Sequence, residues 1–142
     1  MTLLDSNVLL YATGGAHPLR EPSRALLSAI AHGQVTAHLT DIVLTEFLYV
    51  RARRVGRPAA AQMARDLVDA VTSVLPVTNQ TRARAFDLFA SSSRIGSNDA
   101  LIAAVALENG LALVSADQDF REVAGLRLMP PDSPEAAALA VR

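Results

Sequence analysis

At 142 residues the chain is long enough to bury roughly two-thirds of its unfolded surface as one domain, and 51% hydrophobic against 19% charged residues excludes an unfolded chain. It has no cysteine, which excludes disulfides, thiolate metal sites and cysteine nucleophiles. A net charge of −1 excludes a global attraction to nucleic acid or membrane; all thirteen basic residues are arginine, so lysine-dependent chemistry is excluded too.

The first element expected is a strand at LLDSN, residues 3–7, where Asp5, Ser6 and Asn7 interrupt an apolar run that resumes at Val8, Leu9 and Leu10. PSRALLSAIAHG has Ala25, Leu26, Ala29 and Ile30 at helical spacing, with Gly33 placed to close the helix. A weaker strand follows at VTAHL, 35–39. Thr40 or Asp41 caps a helix running to about Arg54, where Gly56 and Pro58 break the pattern. A helix from Pro58 to about Ser73 starts with proline in its first turn, where the missing N–H costs nothing.

VLPVT at 74–78 is another weak strand, and Thr78 to Ala90 another helix. SNDALIAAVALENG carries a Ser97 or Asn98 cap and ends at Gly110. LALVS at 111–115 reads as a strand buried on both faces, LRLMP at 126–130 as a weaker one, and the Ala-rich tail has no assigned structure. Strands alternating with helices predict an α/β fold, one parallel sheet covered by helices. No repeat, linker or low-complexity tract divides the chain, so a single domain over 1–142 is expected. The apolar stretches are short, and Asp5 stands where a secretory leader would be basic, which predicts a soluble, cytoplasmic protein with no membrane association.

Several carboxylates fall in unusual places. Asp5 lies at the end of the first strand, and Asp117 and Asp119 follow the LALVS strand. The crevice at the carboxyl ends of parallel strands is where ligands gather. Glu46 lies three and four residues from Val43 and Ile42, on the apolar stripe that Phe47 and Val50 extend. Asp99 shares a stripe with Ile102, Ala103 and Ala106.

Singly, each has a plainer account: a first-turn acid for Asp99, a turn for Asp5, Asp117 and Asp119, a stripe edge with its tip in water for Glu46. Together they do not. Two carboxylates at about 4 Å repel by roughly 4 kcal/mol at an effective dielectric near 20, so a converging set needs positive charge. With no lysine in the chain and no arginine in these segments, a divalent metal is the economical source, and all-oxygen ligands select Mg²⁺ or Mn²⁺. His17, His32 and His38 lack ligand spacing and read as surface or loop residues.

DSNVLLYA at 5–12, TEF at 45–47, NDALIAAVA at 98–106 and VSADQDF at 114–120, in that order and spacing, resemble the PIN-domain ribonucleases, particularly the VapC toxins of type II toxin–antitoxin pairs. The resemblance implies a PIN-like three-layer α/β/α sandwich with a mainly parallel central sheet. It implies that Asp5, Glu46, Asp99 and Asp117 surround Mg²⁺ or Mn²⁺, Asp5 and Asp99 as direct ligands, with Asp119 an auxiliary acid and Asn7 and Ser115 polar supports. Thr is common in the family at the positions of Ser6 and Ser115; the exchange keeps the hydroxyl.

The implied activity is hydrolysis of RNA phosphodiesters, tRNA and rRNA being candidate substrates, by a homodimer held in check by a VapB-like antitoxin. Because an acidic pocket repels RNA, phosphate contacts are expected from Arg51, Arg53, Arg54 and Arg57 after the Glu46 helix, then Arg82, Arg84 and Arg94, although a solvated helix face accounts for such arginines equally well. Tyr11, Tyr49 and Phe120 are candidates for stacking on bases, although core packing is the better account of Phe120.

Two other phosphoryl-handling classes begin from a strand-end aspartate. Haloacid-dehalogenase-type phosphohydrolases need an Asp two residues on, where this chain has Asn7, and a lysine; receiver domains need a lysine as well. An RNA-processing nuclease without an antitoxin, or an inactive PIN-like binding module, are the remaining alternatives; the module would be marked by loss of one of the four acids, and all four are present.

Overall fold

The computed structural model describes residues 1–141. Its elements run β1 (Thr2–Leu4), α1 (Ser6–Thr13), α2 (Arg20–Ala31), β2 (Ala37–Thr40), α3 (Asp41–Val55), α4 (Arg57–Ala70), β3 (Ser73–Leu75), α5 (Asn79–Ser91), α6 (Ser97–Glu108), β4 (Ala112–Val114), β5 (Leu128–Met129) and α7 (Pro134–Ala140). A 3-10 turn covers Gln118–Glu122. The sheet order is β3-β2-β1-β4-β5, parallel at every pairing. Right-handed crossovers then put α1 to α4 on one face and α5 and α6 on the other, with α7 packed on α2. This is the α/β/α sandwich expected from the resemblance.

β1 and β4 are fully buried, as central strands covered on both faces must be. The order reverses between them, so the crevice at the carboxyl ends of these two neighbours is the switch point of the sheet. Asp5 follows one strand and Ser115 the other.

The largest departure from the sequence reading is α1. The strand stops at Leu4, and Ser6–Thr13 is a helix that Asp5 caps by accepting from the Ser6 N–H at 2.8 Å. Val8, Leu9 and Ala12 bury one face of it, a spacing that fits a helix as well as Leu9 and Leu10 fit a strand. The tail also folds: Ser133 caps α7, with Pro134 in its first turn.

α3 starts where expected, its Thr40 cap accepting from the Val43 N–H at 3.2 Å, but its buried stripe is Val43, Phe47 and Arg51. Val50, expected on that stripe, is 42% exposed. Arg51 displaces it by turning inward to donate from Nη2 to the Leu10 carbonyl at 3.0 Å, a cation on the orphan carbonyls at the end of α1. Gly14 makes room for this: a Cβ there would lie 2.8 Å from the Leu10 oxygen and 3.3 Å from Arg51 Nη2. Gly56, at φ +88°, separates α3 from α4 in a conformation that side chains resist.

α6 begins at Ser97 with Gly96 at its cap, and neither Ser97 nor Asn98 caps it. His17 and His32 are exposed, but His38 is half-buried on β2, bonded to Ser73 Oγ at 2.9 Å. Among the described residues no helix is long and apolar enough to cross a membrane.

Candidate active site

The capping of α1 puts Asp5 at the bottom of the switch-point crevice, 4% exposed. Each of its oxygens is held. Oδ1 accepts from the Ser6 N–H at 2.8 Å, and Oδ2 from Ser115 Oγ at 2.7 Å and Asn7 Nδ2 at 3.2 Å. Two acceptors with about four lone-pair positions between them leave Asp5 one on Oδ1.

Ser115 is completely buried and fully used: while donating to Asp5, its hydroxyl accepts from Asn7 Nδ2 at 3.1 Å and from the Asp117 N–H at 3.0 Å. Asn7 Oδ1 accepts from the Ala116 N–H at 3.3 Å. One buried hydroxyl thus fixes β1, α1 and the chain after β4 relative to one another. Asp117 caps the following turn, accepting from the Asp119 N–H at 2.9 Å.

Glu46 enters from α3, where Ser6 Oγ donates to its Oε2 at 2.6 Å. Asp99 enters from the first turn of α6, half-buried, and accepts no hydrogen bond among the described residues. Its carboxyl is pushed up to about 7, first by burial and then by the charges of Asp5, Asp117, Glu46 and Asp119. Asp5 is raised too: burial outweighs the hydrogen bonds from Ser115 and the Ser6 amide that favour its charge, and Glu46 and Asp117 add repulsion. The charges of Asp5, Glu46, Asp117 and the auxiliary Asp119 thus all reach Asp99, and those of Glu46 and Asp117 reach Asp5.

Among the described residues no arginine pairs with these acids. The ion pairs among the described residues engage Glu21, Glu108, Glu122 and Glu135, none of them in the crevice. Nor, among the described residues, do three or more carboxylates and imidazoles stand close enough together to hold an ion as they are; the acids share a field without closing on a point. An all-carboxylate set with uncompensated charge fits a hard divalent cation, and the cage that the hydroxyl and amide groups build around Asp5 and Glu46 is of the kind that orients metal ligands.

The arginines divide. Arg51 is 8% exposed and spent on α1, so it is withdrawn from any phosphate-binding surface, whereas Arg53, Arg54 and Arg57 are exposed beyond Glu46. Phe120 is buried and unavailable for stacking. The clamp of Ser6 on Glu46 was not legible in the sequence, because its partners are forty residues apart.

A family model described as PIN domain matches residues 2–126. The chain belongs to the PIN-domain family. Within the family it is similar to Ribonuclease VapC7 of Mycobacterium tuberculosis, 39% identical over 135 residues that cover 94% of this chain and 93% of the relative. In fold it is similar to the crystal structure of FitAcB from Neisseria gonorrhoeae, with a TM-score of 0.75 at 18% identity over 92% of this chain and 98% of that one. It is likewise similar to DNA-bound VapBC from Salmonella typhimurium, with a TM-score of 0.73 at 17% identity over 92% and 99%.

Proposed function

We propose that this PIN domain is a Mg²⁺- or Mn²⁺-dependent endoribonuclease of the cytoplasm, acting as the toxin of a toxin–antitoxin pair on structured RNA such as tRNA or rRNA. The observation that carries the reading is the crevice itself: Asp99 stands half-buried in its helix turn within the field of Asp5, Glu46, Asp117 and Asp119, with no ion pair to any of them among the described residues. The name of the 39% identical relative, a ribonuclease, supports the activity. The similar structures of VapBC assemblies support a VapB-like antitoxin partner, and a homodimer is part of the same reading.

Asp5 and Asp99 are the direct ligands in this account, Glu46 and Asp117 completing the shell. A bound divalent ion supplies positive charge against the phosphate and activates water. The chain's own residues do the rest. Ser115 and the Ser6 amide favour the charged form of Asp5 against its burial, and Asn7 steadies the same oxygen as Ser115; Ser6 aims Glu46 through Oε2, and Oε1 accepts no hydrogen bond among the described residues. Asp117 is held at its turn by the Asp119 N–H and by its own amide on Ser115, and a carboxylate not engaged as a ligand takes the proton from the attacking water. Arg53, Arg54 and Arg57 offer phosphate contacts outside the acidic field.

The test is cleavage of tRNA and rRNA by the purified protein. Cutting with Mg²⁺ or Mn²⁺ that stops in EDTA and in an Asp5→Asn variant is expected; cutting that survives either overturns the reading. Co-expression with the protein encoded beside it tests the toxin assignment: a complex and relief of growth arrest are expected, and the absence of both counts against it.

A further inference from the structure

Glu46, Tyr49 and Arg53 are spaced i, i+3 and i+7 on α3, so they share one face. That face leaves the crevice at Glu46 and passes Tyr49 after roughly 4.5 Å and Arg53 after roughly 10.5 Å of helix axis. Tyr49 is 64% exposed, a large aromatic surface that the core does not explain. Its ring is nonetheless engaged: the Arg53 guanidinium lies over it at 4.6 Å from the centroid, and Arg53 Nη2 donates to its hydroxyl at 2.7 Å. Beside it, Leu48, Tyr49, Ala52, Arg57 and Ala61 line a recess between α3 and α4. Arg53, Arg54 and Arg57 stand in no ion pair among the described residues.

We propose that this recess receives a nucleobase of the RNA strand whose phosphodiester lies in the acidic crevice, the base stacking on Tyr49 while Arg53 and Arg57 meet the flanking phosphates. The inference rests on the ribonuclease reading and adds a subsite to it. The chemistry favours RNA over a polypeptide. The recess combines an apolar floor, an aromatic wall and guanidinium groups that stand in no ion pair among the described residues, which is the combination that single-stranded nucleic acid selects. The groups also follow Glu46 along one helix, so a strand leaving the crevice on this side runs over them.

The test uses single-stranded RNA carrying 2-aminopurine, bound by the Asp99→Asn protein so that the strand stays intact. Quenching of the probe is expected, lost on adding Tyr49→Ala together with about a tenfold rise in Kd, and retained with Tyr49→Phe. Arg53→Gln should lower the slope of log Kd against log salt by about one. Tyr49 is exposed, so these changes leave the core intact. Binding and quenching that Tyr49→Ala leaves unaltered overturn the subsite while the ribonuclease reading stands. No RNA binding by the Asp99→Asn protein, with no cleavage by the unaltered chain, overturns both. A Tyr49→Ala change that spares RNA binding but weakens the complex with the co-encoded protein makes the recess a polypeptide dock and also overturns the proposal.

Discussion

Ser6 Oγ and Glu46 Oε2 lie 2.6 Å apart, a hydrogen bond that ties the first residue of α1 to the second turn of α3. The hydroxyl makes no other hydrogen bond among the described residues, and without it Glu46 loses its one hydrogen-bond donor there. Ser6→Ala should therefore lower kcat for RNA cleavage by about tenfold with KM little changed, and Ser6→Thr should restore it. Equal kcat values for Ser6→Ala and the unaltered chain would remove Glu46 positioning from the account.

Ser115→Ala removes the 2.7 Å donor on Asp5 and leaves Asn7 and the Asp117 amide short of a partner. Asp5 is already raised by its burial, so losing that donor makes its charged form costlier still. A tenfold or larger increase in the Mg²⁺ concentration giving half-maximal cleavage is expected, within the range found for groups that orient metal ligands; Ser115→Thr should behave like the native residue.

In the metal-free protein the Asp99 carboxyl is pushed up from an ordinary 3.8 to about 7 by burial and the neighbouring acids. A carboxyl that binds its proton more tightly when folded contributes stability that is full below about pH 4 and is lost as the pH rises through 7. Urea midpoints in EDTA should therefore fall between pH 5 and pH 8, and Asp99→Asn should flatten that fall, by on the order of 2 kcal/mol once partial solvent screening is allowed for. An Asp99→Asn protein with the native pH dependence would contradict the crowding of charge.

Phe47, beside Glu46 on α3, is fully buried. Phe47→Ala should cost about 3–5 kcal/mol in chemical denaturation, as cavities of that size do, and should reduce activity only through the fraction folded.

The elements most legible in the sequence were those whose apolar pattern matches their burial: β1 and β4, and the helices of residues 20–31, 41–55, 57–70, 79–91 and 97–108; the weaker strands read at 35–39, 74–78 and 126–130 overlap β2, β3 and β5. α1 was misread because Val8, Leu9 and Leu10 form a short continuous run that periodicity cannot assign to helix or strand. The signal that settles it is Asp5 as a helix cap. The inward Arg51 was hidden for a related reason: charge places an arginine outside, and only the carbonyl of Leu10 brings it in. At the site, the acids were legible because carboxylates on apolar stripes and at strand ends stand out. Ser6 bonding Glu46 was not, since a serine after a strand has many uses and its partner is set by tertiary packing alone.

The proposed function turns on Asp5 and Asp99, 94 residues apart in sequence, as direct ligands of a divalent ion, with Glu46 and Asp117 completing the shell. Titration of the metal-free protein with Mn²⁺, followed by calorimetry or by loss of the free-ion EPR signal, tests it without recourse to RNA. Saturable binding that Asp5→Asn and Asp99→Asn each weaken by about tenfold or more is predicted. Binding that neither substitution alters, or no saturable binding by the unaltered chain, would contradict it.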